Sequence, residues 1–230
     1  VRFLIIGSGN IALRHISNLK ELCPQSEIAV LTSKTRFSDA KKEKLNLVKN
    51  IFFTQEDALS FNPQAVFICN PASLHIQSAK FFAEKGVNLF IEKPLSDNLD
   101  EVDRLIKIIQ QKQITSMVGY PLRFNKSMKY FKDALMEERI GKIIFVRSRS
   151  SSYLPDWRPD TDYRDSVSAQ KKLGGGVLLE VSHEVDYLHW IFGESRIYSS
   201  YIGKLSDLEV DTEDYAFLLM GFAEKESNSF

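Results

Sequence analysis

The sequence predicts an α/β fold: a doubly wound parallel sheet over residues 1–119, followed over residues 120–230 by a second, incomplete α+β domain with an open sheet. Three observations predict it. Short apolar runs alternate with helical patterns from the first residue to Gly119, as strand–helix–strand crossovers require. A glycine-rich turn joins the first strand to the first helix. After Gly119 the alternation stops and longer, more polar segments take over.

Residues 2–6 are a short buried strand, and 11–22 a helix with Ile11, Ala12, Ile16, Leu19 and Leu22 inward. A second strand at 28–31 leads into a polar, basic stretch at 32–44. A short strand at 51–53, a short helix at 56–60 and an apolar strand at 65–69 follow. A helix spans 74–84 and a fifth strand 87–91. Asn98, with Glu101 three residues on, forms the pattern of a capping box, and Leu99, Val102, Leu105, Ile106 and Ile109 fall on one face behind it. A sixth strand at 116–118 completes the sheet. Beyond it the pattern gives a helix at 125–139 stopped by Gly141, a strand at 142–150, a long loop at 151–172, a glycine triplet and helix within 173–192, and strands at 196–203 and 215–222.

Composition narrows the function. Thirty basic residues balance thirty acidic ones, so no polyanionic partner such as nucleic acid is expected. Cys23 and Cys69 lack metal-type spacing, so neither a metal site nor a disulfide is expected, and Cys69 reads as a buried small apolar residue. No run has the length of a membrane span or of a signal-peptide core, which makes a cytoplasmic location the expectation.

The turn Gly7-Ser8-Gly9-Asn10-Ile11-Ala12 follows a strand and opens a helix, the context of a dinucleotide-binding Rossmann fingerprint. Gly7 serves the tight turn, Gly9 lets a pyrophosphate approach the backbone, and Ala12 lets the helix pack on the strand. Free N–H groups and the helix dipole favour the phosphates. NAD-binding units place an acid about 20 residues on, at the ribose 2′-hydroxyl. Here Thr32, Ser33, Lys34 and Arg36 stand at that strand end, and two hydroxyls with two cations suit a 2′-phosphate. NADP is therefore expected over NAD.

Further motifs share a family resemblance. Gly7-x-Gly9-x-x-Ala12-x-x-His15, then Asn70-Pro71 with His75, then Glu92-Lys93-Pro94, and finally Gly174-Gly175-Gly176 leading to His183-x-x-Asp186, together resemble the glucose–fructose oxidoreductase, inositol dehydrogenase and rhizopine-catabolism family, Gfo/Idh/MocA. The resemblance implies a two-domain enzyme, NAD(P) bound by the first domain, and a second domain used for substrate and dimerisation. It also implies a homo-oligomer, dimer or tetramer, when full length. Implied substrates are sugars, sugar nucleotides, inositols and related polyols. Members are commonly about half as long again, so this chain looks C-terminally truncated.

The resemblance also distributes roles. Lys93, beyond the carboxyl end of a parallel strand, would bind the reacting hydroxyl near the nicotinamide and help transfer its proton. Glu92 would pair with Lys93 or fix its loop, and the bond before Pro94 can be cis. Asn70, Pro71 and His75 would border the cofactor, and His15 would be structural or cofactor-adjacent. His183 is the candidate general acid/base, because imidazole titrates near neutral pH. Asp186, one helical turn on, would orient it or bind substrate. The family places an Asp four residues before this His; here Leu179 stands there and Glu180 comes one later, so either Glu180 substitutes or the helix is rotated.

Tyr120, Arg123, Tyr153, Trp157 and Arg158 offer the aromatic faces and guanidinium forks that suit sugar rings and phosphates, with Tyr163 and Arg164 nearby in sequence. Loop packing is their other reading. The run from Glu180 to Tyr187 resembles a variant associated with nucleotide-linked or surface-polysaccharide sugars. Two other functions compete: an NAD(P)-binding regulator without turnover, and a methyltransferase on a similar sheet, which the glycine loop and Glu92-Lys93-Pro94 disfavour.

Overall fold

A computed structural model describes residues 1–33, 42–43, 45–159 and 161–222. The chain divides into two compact units, Val1–Gly119 and Tyr120–Phe230. The expected cationic pair Lys34 and Arg36 lies outside the described residues.

The first unit is a six-stranded parallel sheet. Its strands are β1 (Arg2–Ile6), β2 (Glu27–Leu31), β3 (Asn50–Phe52), β4 (Ala65–Ile68), β5 (Asn88–Glu92) and β6 (Ser116–Gly119). They lie in the order β3-β2-β1-β4-β5-β6, the doubly wound arrangement whose strand order reverses between β1 and β4. The register sets Ile6 opposite Leu31 and Ile68, Ile68 opposite Ile91, and Glu92 opposite Gly119. The turns after β1, β4 and β5 therefore leave from one edge of the sheet.

Helices cover the sheet because its strands are apolar along their length. α1 (Asn10–Leu22) packs Ala12, Leu13, Ile16 and Leu19 on β1 and β2. Leu22, expected inward, is 78% exposed, since the helix ends there and the chain turns at Cys23. α2 (Gln55–Leu59) is capped by Thr54, whose hydroxyl oxygen accepts the Asp57 N–H. α3 (His75–Glu84) buries Ile76, Ala79, Phe82 and Ala83 against β4 and β5. A fully buried ring such as Phe82 contributes about 1.5–3 kcal/mol by leaving water.

The expected capping box does not form. α4 runs Val102–Lys112, and Glu101 precedes it with φ of +64°, a left-handed backbone that a helical N3 residue cannot have. Asn98 instead accepts the Asp100 N–H two residues on, the local turn that competes with capping. Leu99 consequently lies outside the helix and is 87% exposed. Glu101 pairs with Lys80 and Arg104. Leu105 is buried, Val102 and Ile109 pack against the core, and Ile106 is left half-exposed.

The second unit holds α5 (Lys126–Met136), α6 (Val177–Glu180), α7 (Ser182–Phe192) and an antiparallel ribbon of β7 (Ser195–Gly203) and β8 (Tyr215–Phe222). Asn125 caps α5 through the Ser127 and Met128 N–H groups. The strand expected at 142–150 does not form: among the described residues this segment pairs with no strand, and Ile144 and Phe145 are exposed. Its apolar sequence suits a sheet, but a strand exists only in a hydrogen-bonded ladder. The loop at 151–172 contains four 3₁₀ turns.

The glycine triplet has a steric reason. A Cβ on Gly175 would lie 2.2 Å from the Val167 carbonyl oxygen, and one on Gly176 would lie 2.3 Å from Glu213 Oε1. Glu213 uses that closeness to accept the Leu178 N–H at the start of α6.

Candidate functional site

The glycine turn is built around two different absences of a side chain. Gly7 has φ of +107°, and a Cβ there would stand 2.8 Å from the Cys69 carbonyl oxygen. Gly9 has an ordinary extended backbone, and a Cβ there would meet nothing within 4 Å. Gly9 is the N-cap of α1, with no side-chain cap and no acid in the first turn. The N-terminal N–H groups and the positive end of the helix dipole thus adjoin open space at Gly9, which suits a dinucleotide pyrophosphate. Asn10 and Ile11 begin the helix, and Ala12 is fully buried beneath it.

Ser8 is buried and shares a 3.1 Å hydrogen bond with Thr32, also buried, at the end of β2. Thr32 therefore ties the strand end to the glycine turn, while Ser33 is exposed beyond it. At the end of β4, Asn70 Nδ2 donates to Ser78 Oγ at 3.0 Å, and Asn70 Oδ1 is buried without a hydrogen-bond partner. A buried amide oxygen lacking a donor is costly, and a ligand hydroxyl or amide N–H would satisfy it. Pro71 follows, leading into a 3₁₀ turn at Ala72–Leu74.

His75 is 2% exposed and does not open onto that space. Its Nδ1 lies 2.9 Å from the Pro94 carbonyl oxygen and its Nε2 2.8 Å from the Asn70 carbonyl oxygen. Burial, the largest influence, lowers its pKa below the ordinary histidine value, against the pull of these carbonyls and of Glu92. Burial likewise pushes the Cys69 thiol up.

Glu92 and Lys93 close β5, and the Lys93–Pro94 peptide is cis. His15 Nε2–H donates to Glu92 Oε1 at 2.6 Å, and the Lys93 N–H reaches Glu92 Oε2 at 3.3 Å. Sequence reasoning gave His15 no clear role and did not pair it with Glu92; residues 77 apart meet only because α1 and β5 pack together.

In the second unit, Asp186 is not held against His183. Both its oxygens accept from Arg123, whose Nε and Nη2 form a fork at 2.7–3.1 Å. The Asp186 side chain is 9% exposed, and its carboxylate raises the Arg123 pKa above the usual guanidinium value. Tyr120 donates to Ser182 Oγ at 3.3 Å, and burial raises its pKa. Glu180 Oε1 accepts from Ser168 Oγ at 2.8 Å, and the helix breaks at Val181 before His183.

The carboxylate that does approach His183 is Glu184, with Oε1 3.7 Å from Nε2. Its other oxygen receives the Tyr187 and Ser148 hydroxyls, and Ser148 and Tyr187 lie 2.5 Å apart. Burial first, then the Glu184 contact, raises the Tyr187 pKa. Ser148 carried no motif, and Glu184 stood within the run from Glu180 to Tyr187 without a role of its own. Tyr153, Trp157 and Arg158 lie on or beside the 3₁₀ turn Leu154–Trp157 and are exposed. Tyr163 and Arg164 hold the loop itself: the Tyr163 hydroxyl accepts the Glu209 N–H, and Arg164 pairs with Asp162 and Glu209.

Comparison with known proteins agrees with this architecture. Residues 1–120 match the model of an oxidoreductase family with an NAD-binding Rossmann fold, and residues 128–227 match the GFO/IDH/MocA C-terminal domain. A myo-inositol 2-dehydrogenase of Thermotoga maritima is 28% identical over 91% of this chain and 63% of its own length. An inositol 2-dehydrogenase of Rhizobium meliloti is 24% identical over 86% of this chain and 56% of its own. Among solved structures, the WlbA dehydrogenase of Bordetella pertussis, in complex with NADH and UDP-GlcNAcA, superposes with a TM-score of 0.79 at 20% identity, over 96% of this chain and 68% of that one. The scyllo-inositol dehydrogenase of Lactobacillus casei with NAD(H) and scyllo-inositol gives 0.73 at 22% identity, over 90% and 60%. With both halves matched and the six-stranded order observed, the chain belongs to the Gfo/Idh/MocA oxidoreductase family.

Proposed function

We propose that this chain transfers a hydride between a nicotinamide cofactor and a carbinol or carbonyl carbon of a sugar, sugar nucleotide or polyol. The observation that carries the reading is the uncapped α1 N-terminus with open space at Gly9, on the same sheet edge as Lys93. The cofactor, when bound, supplies the hydride acceptor or donor. Gly7, Ser8, Gly9, Asn10 and Ile11 form its phosphate cradle, Ala12 seats the helix, and Asn70 and Pro71 border the nicotinamide side. Lys93 hydrogen-bonds the reacting oxygen, and His183 takes or returns the hydroxyl proton. Tyr120, Arg123, Tyr153, Trp157 and Arg158 are the proposed substrate contacts, and Asp186 holds Arg123 in place. Thr32, Ser33, Lys34 and Arg36 favour NADP, since β2 ends without an acid. Nucleotide-linked sugars are the narrower substrate class, and the full-length protein is proposed to be a homo-oligomer.

Fluorescence titration with NADPH and NADH tests the cofactor, and a screen of polyols and sugar nucleotides tests turnover. Saturable binding of both, tighter for NADPH, is the expected result; equal affinities refute the NADP preference. Lys93→Ala and His183→Ala should each lower kcat by about 10²–10⁴-fold, the range for losing a proton-transfer group. A second reading, a cofactor-binding regulator, is favoured by one observation: Asp186 and Glu180 are engaged by Arg123 and Ser168 rather than by His183. Tight cofactor binding with no turnover across the screen would establish it.

A further inference from the structure

The turn carrying Lys93 is gripped from two sides by histidines of two different helices. From α1, His15 donates to Glu92 Oε1 at 2.6 Å, and Glu92 in turn accepts the Lys93 N–H. The His15 ring lies against Phe90 and Phe67, with centroids 5.1 Å and 5.3 Å away. Gly119, opposite Glu92 in β6, leaves the room: a Cβ there would stand 2.9 Å from the Phe90 ring and 3.5 Å from Glu92 Oε1. From the start of α3, His75 lies between the Pro94 carbonyl, one residue past Lys93, and the Asn70 carbonyl at the end of β4, within hydrogen-bond distance of both and donating to one. Neither ring is placed to meet a reactant. Both nitrogens of His75 face backbone carbonyls and its side chain is buried, while the His15 side chain is 15% exposed with Nε2 engaged.

We propose that His15 and His75 are positioning residues that brace the Glu92-Lys93-Pro94 turn, tying the placement of Lys93 to α1 and to the Asn70 turn. The inference rests on the reading of Lys93 as a proton-relay group. A lysine amine sits on a flexible four-carbon stem, so the hold on its backbone bears directly on where it is aimed, and a displacement of about 1 Å costs roughly 10²-fold in rate. The His15 contact is with Glu92 and not with the phosphate cradle at Gly7–Asn10, so its loss should appear in kcat and not in cofactor affinity.

The test compares His15→Ala, His15→Gln and His75→Gln with the unmodified chain. Each protein is reductively methylated with ¹³C-formaldehyde, and the Lys93 dimethylamine resonance is assigned by its loss in Lys93→Arg. The expected result for His15→Ala is a shift of that resonance towards those of freely exposed lysines and NAD(P)H dissociation constants within about twofold of the parent. For a parent that turns over substrate, kcat should fall about 10–100-fold. His15→Gln, whose amide N–H can reach Glu92, should restore most of both signals. Unchanged Lys93 resonance and unchanged kcat in His15→Ala and His75→Gln, with only a lower melting temperature, would overturn the brace and leave two structural histidines. If the parent turns nothing over, the relay reading of Lys93 fails by itself, and the resonance still decides the brace: a shift supports it and no shift refutes it. Should His15→Ala not fold, Glu92→Gln removes the carboxylate with its shape kept and is read in the same way.

Discussion

Gly7 and Gly9 are two residues apart and are glycine for opposite reasons. At Gly7 the protein itself forbids a side chain, through a positive φ and a carbonyl 2.8 Å from the would-be Cβ. Gly7→Ala should therefore destabilise the chain by about 2–4 kcal/mol in urea unfolding. At Gly9 the backbone is ordinary and a Cβ meets open space, so Gly9→Val should cost only about 1 kcal/mol, the loss of a favoured N-cap residue. The same change should weaken NAD(P)H binding at least about tenfold, since it fills the cradle. Wild-type cofactor affinity in Gly9→Val would remove this turn from the binding site.

His75 gives a pH signature at the same scale. A neutral imidazole donates one hydrogen bond, so only one of its two carbonyls is satisfied; protonation would serve both, but burial opposes the charge and the net direction is down. The unfolded chain has a histidine of pKa about 6.5. Stability from His75 is thus complete above that pH and is lost as the pH falls, because the unfolded state takes up the proton first. Between pH 7.5 and 5.5 the parent should lose more stability than His75→Gln does. Parallel pH dependence of the two would contradict a buried neutral ring. Glu92, the charged neighbour, acts in the opposite direction and limits the effect.

At the scale of elements, helices start where the local chain allows, and the sequence signals were unequal. Thr54 and Asn125 are caps with matching N–H partners, and Asn125→Ala should cost about 1 kcal/mol. Asn98 has the same chemistry and caps no helix, because Glu101 turns left-handed. Nothing in the side-chain types separates these cases. The glycine triplet looked like a motif and has a packing cause as well: Gly175→Ala drives a Cβ into the Val167 carbonyl, so the second unit should lose about 2–4 kcal/mol. An unchanged melting curve would show that the turn at 167–169 moves aside.

At the scale of the molecule the two units are unequally packed. The two clusters of buried apolar side chains lie wholly within residues 1–119. Among the described residues, Leu135, Ala169 and Ile191 are the buried apolar residues of the second unit. Its two-stranded ribbon leaves Ile197, Tyr198, Tyr201 and Phe217 largely exposed, and such ribbons are marginal by themselves. Unfolding should accordingly be two-step, with limited proteolysis removing residues 120–230 before it cuts the sheet of the first unit. A single cooperative transition with uniform protection would contradict this. Among the described residues no helix is long and apolar enough to cross a membrane.

The sequence by itself determined the order of strands and helices, the glycine turn, and the row of candidate residues at the strand ends. These follow from local properties: the period of the apolar positions, the residues a turn permits, and the edge of a parallel sheet where each strand delivers its last residue. Gly7, Asn70 and Lys93 could be placed together from pattern alone because parallel strands share one direction. The tertiary structure alone decided which side chains meet. His15 with Glu92, His75 between two carbonyls, Arg123 with Asp186 and Ser148 with Glu184 are contacts across 19 to 77 residues or between separate elements. It also decided that residues 142–150 form no strand among the described residues, since an extended segment becomes a strand only when another lies beside it. Periodicity encodes the face a residue presents; only packing supplies its neighbour.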